Sequence, residues 1–318
     1  MNVQLLDIQV RYKGIRTFLR IFGRNADGER VVVDVFDVPF YVYVDQWEPR
    51  FTNMVNAKVR QDLNSQHRKP CYCPKCQKKT PEKARKTPCR SDQKSDLAAA
   101  ITKVEPVLKK SFVGYNPEPT RFWKLTVASA FLCRPITWVA DRLFEFNDDL
   151  NLQWYESDVS PEIRFCTDFG IVPSGWAEVR GSRVEASPLR CKHHFHVCLD
   201  QGHELVPRPE IIQNSPIRTL AWDIECICME PGVERFPVSK SDPVITIGCV
   251  LSVYGRPELT EKVVFQLDTC DLIEGTRVVA CRNEYDLLRG FCEYFVQADV
   301  DILSGYNSDM LVVLARSA

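Results

Sequence analysis

The sequence predicts a mixed α/β protein in two parts, a β-rich N-terminal region followed by a second region built on an α/β sheet. Three observations carry this. Residues 2–46 are dominated by β-branched and aromatic residues in near alternation. From Arg218 onward, three strand-like runs precede a helical run and a further strand-like run, the order of a sheet with a crossover helix. Between the two regions RPEIIQNSP (208–216) is polar and carries Pro209 and Pro216, as a linker does. The boundary is therefore expected after Ser215, giving domains 1–215 and 216–318, in line with about 100–200 residues per domain.

The elements follow in order. VQLLDIQV, RTFLRIFG and VVVDVFDVPFYVYV read as strands, with a polar turn from Arg24 to Glu29 between the last two. Residues 64–95 change character, being rich in Lys, Arg, Pro and Cys with few aliphatic residues, and read as an exposed insertion. A helix is expected from Asp96 to Leu108, disturbed at its end by Pro106, which lacks a backbone donor. Mixed structure resumes at Phe112. Beyond the linker, RTLAWDIE, PVITIGCVLSVY and KVVFQL read as strands, EYDLLRGFCEYFVQ as a helix and DILSGYN as a strand. The sheet they begin reads as unfinished.

Hydrophobic content of 45% and charged content of 26% are those of an ordinary globular protein, which excludes a disordered, collagenous or coiled-coil chain. The net charge of −1 leaves any nucleic-acid surface to local clusters of Lys and Arg. The N-terminal stretch carries Arg and Lys throughout and lacks the apolar core of a secretion signal. No run approaches the ~20 apolar residues of a membrane-spanning helix, so no membrane partner is expected. Most of the 14 cysteines are then expected as reduced thiols packed as small hydrophobes, Cys249 among them.

Asp223 and Glu225 stand two apart in an apolar strand, and the period of two turns both carboxylates to one face. Two like charges side by side repel unless divalent cations take their oxygens as ligands, which makes Mg²⁺ or Mn²⁺ the natural partner. A lone Asp-x-Glu is ordinarily a solvated strand edge, so context decides.

That context is a succession of motifs: RTLAWDIEC (218–226), FP (236–237), DPVITIG (242–248), NEYDLL (283–288) and DVDILSGYN (299–307). In this order they resemble the exonuclease domain of family B DNA polymerases, nearest to the eukaryotic delta and large DNA virus types. Upstream, YESDVSPEIRFCTDFGIVPSGWAEV (155–179) and FGRNADGERVVVDVFDVPFYVYV (22–44) are similar to the N-terminal domain of that family. The resemblance implies an N-terminal domain followed by an incomplete ribonuclease H-like 3′-to-5′ exonuclease domain working through two divalent ions. Asp223 would bind both ions, and Glu225 would bind one and position the attacking water, with the ions about 3.5–4 Å apart. Tyr306 and Asn307 fall where the family's second motif meets frayed single-stranded DNA. The acidic residue expected five positions after Asn307 is replaced by Val312, and Asp309 is the candidate substitute if the loop is three residues shorter. The third motif, the palm, the fingers and the thumb are not matched, as in a truncated polymerase.

Two clusters stand outside that pattern. Cys71, Cys73, Cys76 and Cys89 supply four soft ligands, the number tetrahedral zinc prefers, with His67 as a spare, although one residue between Cys71 and Cys73 is an untypical spacing. Lys and Arg crowd the same segment, and phosphate binding and simple solvation both fit it. In RCKHHFHVC, strand alternation puts His194, His196 and Cys198 on one face and Cys191 and His193 on the other, so all five cannot converge on one ion. The reading is a polymerase fragment of DNA replication and proofreading, in the nucleus, with DNA and replication accessory proteins as partners. Its rivals are a non-catalytic DNA-binding or interaction module and a stand-alone exonuclease with a rearranged site.

Overall fold

A computed structural model describes residues 1–66, 97, 99–111, 117–145, 150–230, 232, 235, 237–238 and 241–306. From the N-terminus come strands β1 (Asn2–Lys13), β2 (Arg16–Arg24), β3 (Arg30–Phe36) and β4 (Phe40–Val44), helix α1 (Pro49–Gln66), and strands β5 (Ile101–Lys109) and β6 (Thr120–Val127). Helix α2 (Cys133–Phe144), β7 (Trp154–Tyr155), α3 (Pro161–Phe169), β8 (Trp176–Arg180), β9 (Ser182–Arg183), β10 (His193–Cys198) and β11 (Glu204–Pro207) follow. The remainder is β12 (Arg218–Cys226), β13 (Val244–Val253), β14 (Glu261–Leu267), β15 (Arg277–Cys281), α4 (Glu284–Ala298) and β16 (Ile302–Ser304). No described helix is long and apolar enough to cross a membrane.

The chain forms two compact units that do not simply follow chain order. One comprises Met1, Asp7–Gly23 and Val31–Pro209; the other takes Asn2–Leu6 and Arg24–Arg30 from the N-terminal end together with the described part of 210–318.

A seven-stranded sheet runs β11-β8-β1-β2-β3-β10-β9. Its interior strand β3 is a nearly unbroken apolar run because both faces are covered: Val31, Val32, Val33 and Val35 are all buried. A second sheet has the order β5-β6-β4-β7. With α1 after β4 and α2 after β6, its succession is the split β-α-β-β-α-β arrangement. Alternation sorts β4: Val42 and Val44 are buried on one face, while Tyr41 and Tyr43 join Phe122 in a cluster on the other. Lys124 and Arg164 bracket the Tyr41 ring at 3.8 and 4.0 Å, and the Tyr41 hydroxyl donates to Asp168 at 2.8 Å.

The helix expected over 96–108 is instead strand β5 from Ile101. Thr102, Val104 and Val107 favour the pleated form, and β5 is an edge strand among the described residues, where a proline lacking its N–H is tolerated. Residues 64–66 of the expected insertion close α1; residues 67–96, with its cysteines, lie outside the described residues, as do 307–318.

In the second unit the sheet order is β15-β14-β13-β12-β16. Helix α4 packs on one face through Leu287, Tyr294 and Ala298, against Leu220, Trp222, Ile247, Cys249 and Phe265. Asn283 starts the helix as its N-cap, its side-chain oxygen accepting from the Asp286 amide at 2.9 Å. Leu287 is fully buried, and cutting it to Ala would cost about 2–5 kcal/mol.

Candidate functional site

Strand β12 builds the site by alternation. Leu220 and Trp222 turn into the core, and Ala221, Asp223 and Glu225 are exposed on the opposite face. Asp223 lies across from Gly248 and Glu225 across from Thr246 in the antiparallel ladder with β13. Because Gly248 has no side chain, the surface beside Asp223 is open; a Cβ there would meet nothing within 4 Å. The ladder register shifts between Glu225 and Cys226, a bulge of the kind that re-aims a side chain at the end of a strand.

The strand that carries the other motif lies alongside. β16 pairs parallel to β12, with Thr219 opposite Ile302, Leu220 opposite Leu303 and Ala221 opposite Ser304. Continuing that register brings Gly305 and Tyr306 towards the Asp223 end. Tyr306 is 88% exposed and, with Asp223, Gly248, Val250, Lys262 and Gly305, lines a shallow depression of about 450 Å³. Asn307, Asp309 and Val312 lie outside the described residues, and so do Cys71, Cys73, Cys76, Cys89 and His67.

Two anchors hold this constellation. Beyond β12, Asp242 accepts from the amides of Met229 (3.2 Å) and Val238 (2.8 Å) and pairs with Arg235, folding the loop after Glu225 back on itself. The Arg235 guanidinium, helped by the Val238 amide, holds the Asp242 carboxyl well below the usual carboxylate range. Before β16, Asp301 accepts from the Arg218 amide at 2.8 Å and from the buried Arg24 at 2.6 Å, tying the starts of β12 and β16 together. Arg24 also donates to the Asp299 carbonyl at 2.7 Å. Sequence reasoning missed this clamp; the one signal was an arginine at the end of an apolar strand.

It also missed a convergence in the first unit. His194 and His196 share a face of β10, as alternation requires, and both approach Asp34 on β3. Asp34 had a signal, being the one charge inside the buried run VVVDV. Among the described residues this is the one His/Cys/Asp/Glu trio spaced to hold an ion.

The sequence profile described as "DNA polymerase family B, exonuclease domain" matches residues 152–318. The chain belongs to the family B DNA polymerases. It is 27% identical over 298 residues to the DNA polymerase delta catalytic subunit of Dictyostelium discoideum, covering 91% of this chain and 25% of that protein. To the DNA polymerase catalytic subunit of Saimiriine herpesvirus 2 it is 26% identical over 297 residues, covering 92% and 25%. The family B DNA polymerase structure from Pyrobaculum calidifontis shares the fold, with a TM-score of 0.60 and 20% identity over 97% of this chain and 30% of that one. The chain thus spans about a quarter of the length of these curated relatives. Family B polymerases bind DNA, and their exonuclease domains depend on divalent metal ions.

The donors on β12 suit such ions. Two exposed carboxylates on one strand face offer the hard oxygen ligands that Mg²⁺ or Mn²⁺ prefers, with room for the water these ions retain.

Proposed function

We propose that this chain is the N-terminal and partial proofreading-exonuclease portion of a replicative DNA polymerase, directed at phosphodiester bonds at a single-stranded DNA 3′ end. The observation that carries the reading is the exposure of Asp223 and Glu225 on one face of β12 with β16 paired alongside. In this reading 1–215 is the polymerase N-terminal domain and 216–318 the exonuclease part. Asp223 and Glu225 hold Mg²⁺ or Mn²⁺, which when bound stabilises the entering and leaving oxygens of the displacement. The Glu225 carboxylate accepts a hydrogen bond from the attacking water and fixes its direction. The Tyr306 ring offers a stacking face to a frayed base, and the neighbouring Asn307 an amide for its edge. Bare surface at Gly248 leaves space beside the carboxylates for the terminal sugar. The Cys71, Cys73, Cys76 and Cys89 set is proposed as a separate zinc cluster, and the nucleus and replication accessory proteins as the setting.

Two carboxylates are a sparse ligand set for two ions, so the 318-residue chain alone should digest a labelled single-stranded oligonucleotide only feebly. Loss of a single preorganised electrostatic element typically costs about 10²–10³ in rate. The test therefore reads binding as well as turnover. Mn²⁺ bound to the chain, followed by its paramagnetic resonance, is expected to be lost in Asp223→Ala and weakened in Glu225→Ala. Extending the chain with family-like second and third motifs should restore digestion. Mn²⁺ binding indifferent to Asp223→Ala, or robust digestion that survives it, would refute the assignment.

A further inference from the structure

The run RVVVDVF places one carboxylate in the middle of a buried strand, and burying a charge demands partners. Asp34 is 3% exposed. Strand β10 runs parallel to β3 in a register that sets His196 opposite Asp34 and His194 opposite Val32. The period of two then turns both imidazoles to the face of that carboxylate. His194 Nε2 lies 3.2 Å and His196 Nε2 4.0 Å from the same oxygen, Asp34 Oδ2, and the three donor atoms are all within 4.8 Å of one another.

These separations approach those of a coordination shell. Zinc bonds to imidazole nitrogen and carboxylate oxygen are about 2.0–2.2 Å, which places neighbouring donors of a tetrahedron roughly 3.3–3.5 Å apart. The His194 to Asp34 distance already matches that edge. The His196 to Asp34 distance needs a closure of well under 1 Å and the widest separation, within 4.8 Å, about 1.5 Å at most, which the His196 side chain can make because it is 41% exposed.

We propose that Asp34, His194 and His196 form a divalent-metal site in the seven-stranded sheet, with zinc the ion that two imidazoles and a carboxylate suit best. The site is separate from the β12 carboxylates and uses none of the cysteines 71, 73, 76 and 89.

The surrounding groups are those of a supported site. A metal-binding imidazole needs its other nitrogen held, and His194 Nδ1 meets Ser187 Oγ at 2.9 Å, with Ser187 itself fixed by the Leu189 amide at 3.1 Å. Ligating carboxylates are in turn hydrogen-bonded, and Arg20 donates to both Asp34 oxygens, Nε at 2.7 Å and Nη2 at 2.8 Å. The competing explanation is that Arg20 is itself the cation Asp34 requires, with His194 as an added donor. That accounts for Asp34 and His194 and leaves His196 unexplained. At 4.0 Å its Nε2 is beyond hydrogen-bonding reach of the carboxylate, and its ring rests edge-on against Phe36 at 5.1 Å. Tetrahedral zinc would take a fourth donor, such as water, besides these three side chains.

The experiment uses the full chain, stripped with a chelator and titrated with Co²⁺ and Zn²⁺, beside a version with Cys71, Cys73, Cys76 and Cys89 changed to Ser. The four-serine chain should still give the intense visible d–d absorption of one equivalent of four-coordinate Co²⁺, without the near-ultraviolet thiolate charge-transfer band. His196→Ala in that background should abolish the signal; being exposed, this position leaves the fold intact, which circular dichroism checks. Ser187→Ala and Arg20→Met should weaken binding about 10- to 100-fold, the usual cost of losing a supporting partner. Asp223→Ala should leave the four-coordinate d–d signal unchanged, so this result and the exonuclease reading fail independently. Absence of bound Co²⁺ in the four-serine chain overturns the proposal, as does binding unaltered by His196→Ala. Tighter binding in Arg20→Met also overturns it, by showing that the arginine occupies the ion's place.

Discussion

Replacing Arg24 by Met should unfasten the second unit at the point where its two motif-bearing strands begin. The Arg24 side chain is 2% exposed and that of Asp301 6%. Its guanidinium reaches Asp301 Oδ1 at 2.6 Å, the Asp299 carbonyl at 2.7 Å, Asp299 Oδ2 at 3.1 Å and the Gly28 carbonyl. Removing one partner of a buried pair costs about 3–5 kcal/mol, because the other is left charged and dry. Asp301 keeps the Arg218 amide at 2.8 Å, and Asp299 keeps Arg30 at 2.5 Å, so the expected loss is at the lower end, about 3 kcal/mol. With a denaturant slope of about 1–3 kcal/mol per molar urea, the midpoint of this unit should fall by roughly 1–3 M. Trp222, stacked on Phe291 at 5.2 Å in that unit's core, contributes a fluorescence signal. Amide exchange at 219–221 and 302–304 should quicken in the variant. Adding Asp301→Asn should recover part of the loss, since the uncompensated charge goes with it. A midpoint shift worth less than about 1 kcal/mol, or exchange unchanged in both strands, would show that this clamp is not what joins them.

Other measurements bear on neighbouring groups. Burial pushes the Cys249 thiol up to about 12, so iodoacetamide at pH 8 should label the exposed Cys270 and Cys292 and spare Cys249; equal labelling by peptide mass mapping contradicts this. Since that folded-state pKa is raised above an unfolded value near 8.5, the stability held by the neutral thiol is intact below about pH 8.5 and lost as pH climbs towards 12. Asp242 has the opposite sign: its lowered pKa contributes stability above about pH 4 that fades on further acidification. Asp242→Asn should therefore lower the melting temperature at pH 6 more than at pH 3, and an equal drop at both refutes the link. Gly181→Ala drives a methyl into the His196 carbonyl and to 2.9 Å from Val197 Cγ2, so it should destabilise the β9 edge by a few kcal/mol, read by thermal unfolding; a neutral result means the edge yields freely.

Local chemistry in the sequence announced the period-two strands and the placing of Asp223 and Glu225 on one face, because alternation follows from the pleat alone. It misled at Ile101–Lys109, where Pro106 reads as a helix terminator until an edge position makes its missing N–H harmless. α1 went unread since its polar surface hides the buried Phe51, Val55 and Val59. The Arg24 clamp and the Asp34 trio were beyond reach for a different reason. Their partners lie 277 and 160 positions apart, and no local pattern reports which distant strands become neighbours.

The membership of Arg24–Arg30 in the second unit has a consequence for synthesis. At about 5–20 residues per second, Arg24 waits roughly 15 to 55 s before Asp301 has been made. Through that interval the guanidinium must stay in water, and the N-terminal end cannot settle into its final packing. Folding of the unit is therefore non-vectorial and of high contact order, which slows it and lengthens the exposure of nascent strands. A piece cut at the apparent linker would lack both Arg24 and Gln4, whose side-chain oxygen caps the Ser215 amide at 2.7 Å. Truncations intended to isolate the second unit must carry the first 30 residues with them.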